Sequence, residues 1–255
     1  MNRPLYVPET VLITGASGGF GSAFATRFAE LGCKLILCGR KKAKLHDLAA
    51  RLGADAHFAV FDIRNRAETE AAIAAIPANF SNIDLLINNA GLALGTEPAP
   101  EANLDDWLEM IDANCKGLVT MTRLVLHLMT KANKGHIINI GSTAGNYPYP
   151  GGHVYCASKA FVKQFSLSLR ADLYKTNIRV TNIEPGMVET DFSLVRFKGD
   201  GSKAANVYAG TTPLKAEDVA EAVAWAATLP PHMNINRIEL MPTTQAPGPL
   251  AVHRS

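Results

Sequence analysis

Seven short apolar runs recur along the chain, each separated from the next by stretches of helical period. The runs are TVLIT (10–14), KLILC (34–38), AHFAVF (56–61), IDLLIN (83–88), HIINIG (136–141), IRVTNIE (178–184) and NRIELM (236–241). Between them lie amphipathic segments such as GSAFATRFAELG and AKLHDLAARLG, each closing on a glycine that suits a helix stop. Apolar runs without alternation suit strands covered on both faces, and their regular exchange with helices argues for parallel crossover units. The pattern predicts an α/β fold: a doubly wound, seven-stranded parallel sheet with helices on both faces. No linker or low-complexity tract interrupts it, so residues 1–255 read as a single domain. The spacing loosens only over about 186–215, a glycine- and charge-bearing stretch expected to be a loop over a cleft.

Composition narrows the function. With 47% hydrophobic residues, 19% charged residues and a net charge of +2, the chain suits a soluble domain with a large core. It has no run of Lys or Arg that would suit nucleic acid or a membrane surface. The opening MNRPLYVPET lacks a signal-peptide core, and no apolar run approaches a membrane span. The four cysteines (Cys33, Cys38, Cys115, Cys156) have neither CxxC nor zinc-ligand spacing. They read as reduced thiols of a cytoplasmic protein, and no metal site is expected.

The first strand runs into TGASGGFG, where Thr14, Gly15, Ser17, Gly18, Gly19, Phe20 and Gly21 are the candidate phosphate cradle. Glycines at 15, 19 and 21 permit a tight turn, close approach to a pyrophosphate and close packing of the next helix. That helix begins here, so its free amides and dipole face the phosphates. In an NAD site, an acidic residue for the ribose 2′-hydroxyl is expected roughly twenty residues further on. This chain has Arg40 and Lys41 at that point. A guanidinium holds a 2′-phosphate in two hydrogen bonds, so the expected cofactor is NADP(H).

Further on come NNAG (88–91), Asn114 in DANCKG, Ser142 in NIGSTAG, and YCASK (155–159). Tyr155 and Lys159 share a helix face. A phenol is a poor base near neutral pH, and a neighbouring ammonium eases its ionisation. Ser142 is placed to hold a substrate oxygen while Tyr155 exchanges its proton.

In order and spacing these motifs resemble the short-chain dehydrogenase/reductase family over nearly the whole chain. The resemblance implies a single-domain Rossmann fold and a homotetramer, with Asn114, Ser142, Tyr155 and Lys159 as the catalytic set. In that set Asn114 holds a water linking Lys159 to solvent. It further implies cofactor contacts at Asp62 and Ile63 (adenine), at Asn89, Ala90 and Gly91, at Tyr155 and Lys159, and at Pro185, Gly186, Val188 and Thr190. One departure is Phe20, where many members carry Ile or Leu. Within the family, NNAGLALG, GHIINIGSTAG, KAFVKQFSLSLR, VRFKGD and the tail ELMPTTQ…VHR resemble NADP-dependent 3-hydroxy acid dehydrogenases, including serine and allo-threonine dehydrogenases. Sulfoacetaldehyde reductases resemble the same group. Tyr147 stands where those hydroxy acid enzymes are expected to have Trp, and His153 where Asn is common.

Both subgroups handle a small molecule with an anionic group near the reacting carbon. Arg196 in SLVRFKG is therefore the candidate substrate anchor, with Gln245 and either Tyr147 or Tyr149 as donors beside it. The expected activity interconverts a small anionic aldehyde or 3-oxo acid and its alcohol. Examples are sulfoacetaldehyde to isethionate, or malonic semialdehyde and related 3-hydroxy acids. The alternatives are a reductase of bulkier apolar ketones and a non-catalytic NADPH-sensing regulator. The tail PTTQAPGPLAVHRS is placed to reach a neighbouring subunit.

Overall fold

The computed structural model describes residues 6–53 and 55–248. Residues 249–255, the end of the tail expected to reach another subunit, lie outside the described residues. Seven strands form one parallel sheet in the order β3-β2-β1-β4-β5-β6-β7. They are β1 (Thr10–Thr14), β2 (Lys34–Gly39), β3 (Ala56–Val60), β4 (Leu85–Asn88), β5 (Gly135–Ile140), β6 (Ile178–Pro185) and β7 (Arg237–Leu240). Each expected strand is present, with ends shifted by no more than two residues.

Because side chains alternate across a strand, each apolar run feeds both faces. Val11 and Ile13 of β1 join Leu35, Leu37, Leu85 and Ile87 on one side. That layer packs under α1 (Gly19–Glu30), α2 (Lys42–Leu52) and α9 (Ala216–Ala227), through residues such as Phe24, Phe28, Leu45 and Val223. Leu12 joins Ile36, Leu86, Ile137 and Val180 on the other side, under α3 (Arg66–Ala74) and α5 (Leu118–Ala132). Met121, Val125 and Met129 of α5 complete that layer, and α6 (His153–Asp172) lies on the same side against β6. Asn65 and Asn103 cap α3 and α4 (Leu104–Ile111), each accepting a hydrogen bond from a first-turn amide. Gly53 ends α2 in the left-handed conformation.

Two connections differ from the expected loops and helices. Between α4 and α5, residues Asp112–Gly117 form a π-helical turn. The stretch 186–215 is not one loop. It folds into α7 (Phe192–Arg196) and α8 (Gly201–Asn206), and an isolated parallel bridge pairs Val188 with Leu214. SLVRFKG thus begins in a helix and leaves it through Lys198 and Gly199, both at positive φ.

The strand order reverses between β1, which continues outward to β2, and β4, so a crevice opens at their carboxyl ends. Gly15 turns the chain there with φ of +65°. Gly21 brings α1 onto that turn so closely that a Cβ would lie 2.2 Å from the Gly15 carbonyl oxygen. Gly21→Ala should therefore cost about 1–3 kcal/mol of stability through overpacking. Its thermal midpoint should fall, whereas Gly201→Ala, in open space, should melt like the parent protein.

Candidate active site

A cavity of about 350 Å³ occupies the crevice. All the cofactor-side residues expected from the sequence border it except Gly21, which packs beneath the turn. The turn is fastened to the loop after β4. Thr14 Oγ1 accepts from the main-chain amides of Asn89 and Ala90, both at 3.0 Å. Asn89 Nδ2 donates back to the carbonyls of Thr14 (2.9 Å) and Gly15 (3.2 Å). Gly18 begins α1 with no side-chain cap, and the first turn holds no acidic residue. Its amides and positive dipole end therefore remain available, which fits a pyrophosphate.

At the far end of the cavity, β2 delivers Arg40, whose side chain is 54% exposed and whose Nη1 lies 3.7 Å from Asp62 Oδ2. Lys41 and Lys44 border the same end, so cations surround it. The sequence reading missed Lys44 and also Arg64, which grips Asp62 and reaches Glu109 at 2.6 Å. Arg64 draws the Asp62 carboxyl below its ordinary range, chiefly through their hydrogen bonds.

On the reaction side, β5 carries Ser142 just past its end, and α6 brings Tyr155 and Lys159 up beside it. Lys159 is 8% exposed, and its Nζ donates to the Ile140 carbonyl at 2.9 Å and lies 5.8 Å from the Tyr155 ring centroid. Ser142 Oγ accepts from the Ala144 amide at 3.1 Å and faces the Tyr155 phenol. Asn114 sits in the π-helical turn behind Gly91. Its side chain exchanges hydrogen bonds with both main-chain groups of Leu92 and donates to Ser158 Oγ at 3.0 Å. Ser158 was not foreseen, because YCASK singles out its ends.

The four substrate-side candidates separate. Arg196 ends α7, and its guanidinium carbon lies 5.2 Å from the Tyr149 ring centroid and 5.9 Å from that of Tyr155. Nη1 donates to Tyr149 Oη at 2.9 Å and Nε to the Gly95 carbonyl at 3.3 Å. Of the two tyrosines, Tyr149 is the one that lies beside Arg196. Tyr147 turns away from the cleft, with its hydroxyl 3.2 Å from Glu239 Oε1, because the Glu184–Arg237–Glu239 ion cluster draws it to β7. Gln245 does not sit beside Arg196, and neither residue borders the cavity, whose wall on this side ends at Val195. Its Oε1 accepts from the Met187 amide at 2.7 Å and pins the segment after β6. His153 Nε2 contacts the Glu97 carbonyl at 3.0 Å, and its ring packs edge-on against Trp107.

Burial sets the titration of this site. It pushes the Tyr155 phenol well above its ordinary value, reinforced by Tyr149 and opposed by the Ser142 hydrogen bond and the Arg196 charge. It lowers Lys159 to about 8, with a small opposing effect from Cys115. Below pH 8 the folded protein carries the full cost of a buried ammonium. Between about 8 and the ordinary lysine value of 10.5 the unfolded chain binds the extra proton, so this group's contribution to stability rises with pH. Lys159→Met should therefore melt above the parent at pH 7, and that advantage should be gone by pH 10.5. Paired thermal melts check this; an unchanging gap would mean that folding leaves the proton affinity of Lys159 unaltered.

The family model described as short chain dehydrogenase matches residues 9–199. An NADP-dependent 3-hydroxy acid dehydrogenase of Shigella flexneri is 57% identical over 245 residues, covering 96% of this chain and 99% of that protein. Sulfoacetaldehyde reductase 2 of Chromohalobacter salexigens is 50% identical over 249 residues, with coverage of 96% and 99%. Among solved structures, the closed form of a serine dehydrogenase complexed with NADP+ superposes with a TM-score of 0.93 at 56% identity, covering 96% of this chain and 100% of that one. The matched region holds the glycine turn, the Ser142–Tyr155–Lys159 site and the Arg196 helix, and on this agreement the chain belongs to the short-chain dehydrogenase/reductase family.

Proposed function

We propose that the protein is an NADP(H)-dependent oxidoreductase that interconverts a small anionic aldehyde or 3-oxo acid and the corresponding alcohol. The observation that carries this reading is the Arg196 guanidinium held 5.9 Å over the ring of Tyr155, beside the proton-donating phenol. A substrate small enough to lie between Ser142, Tyr155 and this cation has little apolar area to bury. Its binding must come from charge and hydrogen bonds. The names of the relatives agree, covering 3-hydroxy acid, sulfoacetaldehyde and serine chemistry.

When bound, NADPH supplies the hydride. The cradle from Thr14 to Gly21 would hold its pyrophosphate, Arg40 its 2′-phosphate, and the Asn89–Gly91 and Pro185–Thr190 segments its nicotinamide end. Ser142 orients the substrate oxygen, and Tyr155 gives it a proton in reduction and takes one in oxidation. The Lys159 ammonium favours the phenolate by charge and supports proton replacement. The Asn114 side chain is engaged by Leu92 and Ser158, so a water linking Lys159 to solvent would rest on the Asn114 main-chain carbonyl. Tyr149 holds Arg196 in place while the guanidinium takes up carboxylate or sulfonate. An intact proton relay argues against a mere NADPH sensor, and a cation over the proton donor argues against bulky apolar ketones.

The test is a panel with NADPH that sets sulfoacetaldehyde and malonic semialdehyde against a neutral aldehyde of similar size. The anionic substrates should be preferred, and Arg196→Ala should raise their KM by about ten- to a hundredfold, the loss of one charge-assisted contact. Arg196→Lys should recover part of this, since charge returns without the planar fork. Equal damage to neutral and anionic substrates would show that Arg196 holds the helix and not the ligand.

A further inference from the structure

Asp62 poses a problem for the end of the cavity proposed to take a 2′-phosphate. It is a carboxylate 3.7 Å from Arg40 Nη1, and an unmasked carboxylate there would compete for that guanidinium and repel the phosphate. Arg64 surrounds it. Nε lies 3.0 Å from Oδ1 and 3.1 Å from Oδ2, Nη2 lies 2.6 Å from Oδ2, and the Arg64 amide donates to Oδ1 at 3.0 Å. Both carboxylate oxygens are thus taken by Arg64, including the one nearest Arg40. Arg64 is itself fixed from behind by Glu109 Oε1 at 2.6 Å, on α4. Among the described residues Arg40 keeps the loose 3.7 Å contact to Asp62, and its side chain is about half exposed where it borders the cavity.

We propose that Arg64 is a specificity-determining residue for the 2′-phosphate, acting by occupying Asp62 so that Arg40 is free to bind. This rests on the reading of Arg40 as the 2′-phosphate ligand. Arg64 borders the same cavity, but its guanidinium is engaged by Asp62 and Glu109, so its effect runs through Asp62. Its removal should therefore damage recognition of the 2′-phosphate selectively and leave the rest of the adenosine site in place. The damage should also be reversible by removing the carboxylate that Arg64 masks. A residue that merely pins the end of β3 to α4 would show neither property.

The experiment is calorimetric titration of the full chain with adenosine 2′,5′-bisphosphate and with 5′-AMP, which differ only in the 2′-phosphate. Arg64→Met should lose about tenfold or more in affinity for the bisphosphate, while 5′-AMP stays within about twofold. The double variant Arg64→Met/Asp62→Asn should regain most of the preference for the bisphosphate over 5′-AMP, measured against Asp62→Asn alone because Asp62 is also expected to contact the adenine that both ligands share. Arg64→Lys, which keeps charge but not the two-oxygen grip, should fall between, and it serves as the reading if Arg64→Met does not fold. Equal loss of both ligands, or a double variant no better than Arg64→Met, would overturn the proposal. The Arg40→Ala arm separates the two readings. If the wild type shows no preference for the bisphosphate, the Arg40 assignment fails. If Arg40→Ala loses that preference and Arg64→Met keeps it, only the role of Arg64 fails.

Discussion

The crosslink between Thr14 and Asn89 sets the geometry on which the cleft depends. These residues end β1 and follow β4, the neighbouring strands at which the strand order reverses. Two parallel strands diverging into separate loops have no ladder hydrogen bonds beyond their ends, so the loops would drift apart without added contacts. Here a hydroxyl and an amide side chain extend the pairing by side-chain bonds. The glycine turn is thereby held in register with Gly91, and through Leu92 with Asn114 and Ser158. A displacement on the phosphate side would be transmitted to the helix carrying Tyr155 and Lys159.

The reaction side places charge where burial opposes it. Lys159 lies in the interior with a carbonyl and a ring as its neighbours, and the α7 segment contributes a second cation beside the same phenol. The α7 segment is tied down by contacts of its own. Gly95 and Arg196 exchange main-chain and side-chain hydrogen bonds, and Lys198 reaches Asp106 at 2.8 Å. Arg196 is therefore pre-positioned by its own loop contacts. In the proposed role, such preorganisation would spare an anion the cost of first ordering a long side chain.

Much of this was legible in the sequence because it depends on local order. Buried parallel strands are continuous apolar runs, and the glycines of the turn stand at fixed offsets from the first of them. Tyr155 and Lys159 lie one helical turn apart and could be paired from spacing alone. The features that escaped depend on contacts distant in sequence or on segments too short to show a period. Helices α7 and α8 have five and six residues, too few for an apolar stripe to repeat. Tyr147 and Tyr149 sit in a turn with no regular period, and only Arg196 and Glu239, far along the chain, distinguish them. Arg64 has Asp62 two residues before it, but only the fold brings Glu109 of α4 up behind its guanidinium, 45 residues along the chain.

The π-helical turn at Asp112–Gly117 joins two helices that differ in phase by one inserted residue. An α-helix rotates by roughly 100° per residue, so the widened turn swings everything after it around the axis by about that angle. Asn114 reaches Leu92 and Ser158 from inside this widening, while Met121, Val125 and Met129 beyond it still meet the sheet. Regularising the segment by deleting one residue would leave a smooth, stable-looking helix, yet it could serve only one of these two faces. The irregularity thus works as a phase adjuster, allowing one continuous rod to address a polar site at one end and an oily layer at the other.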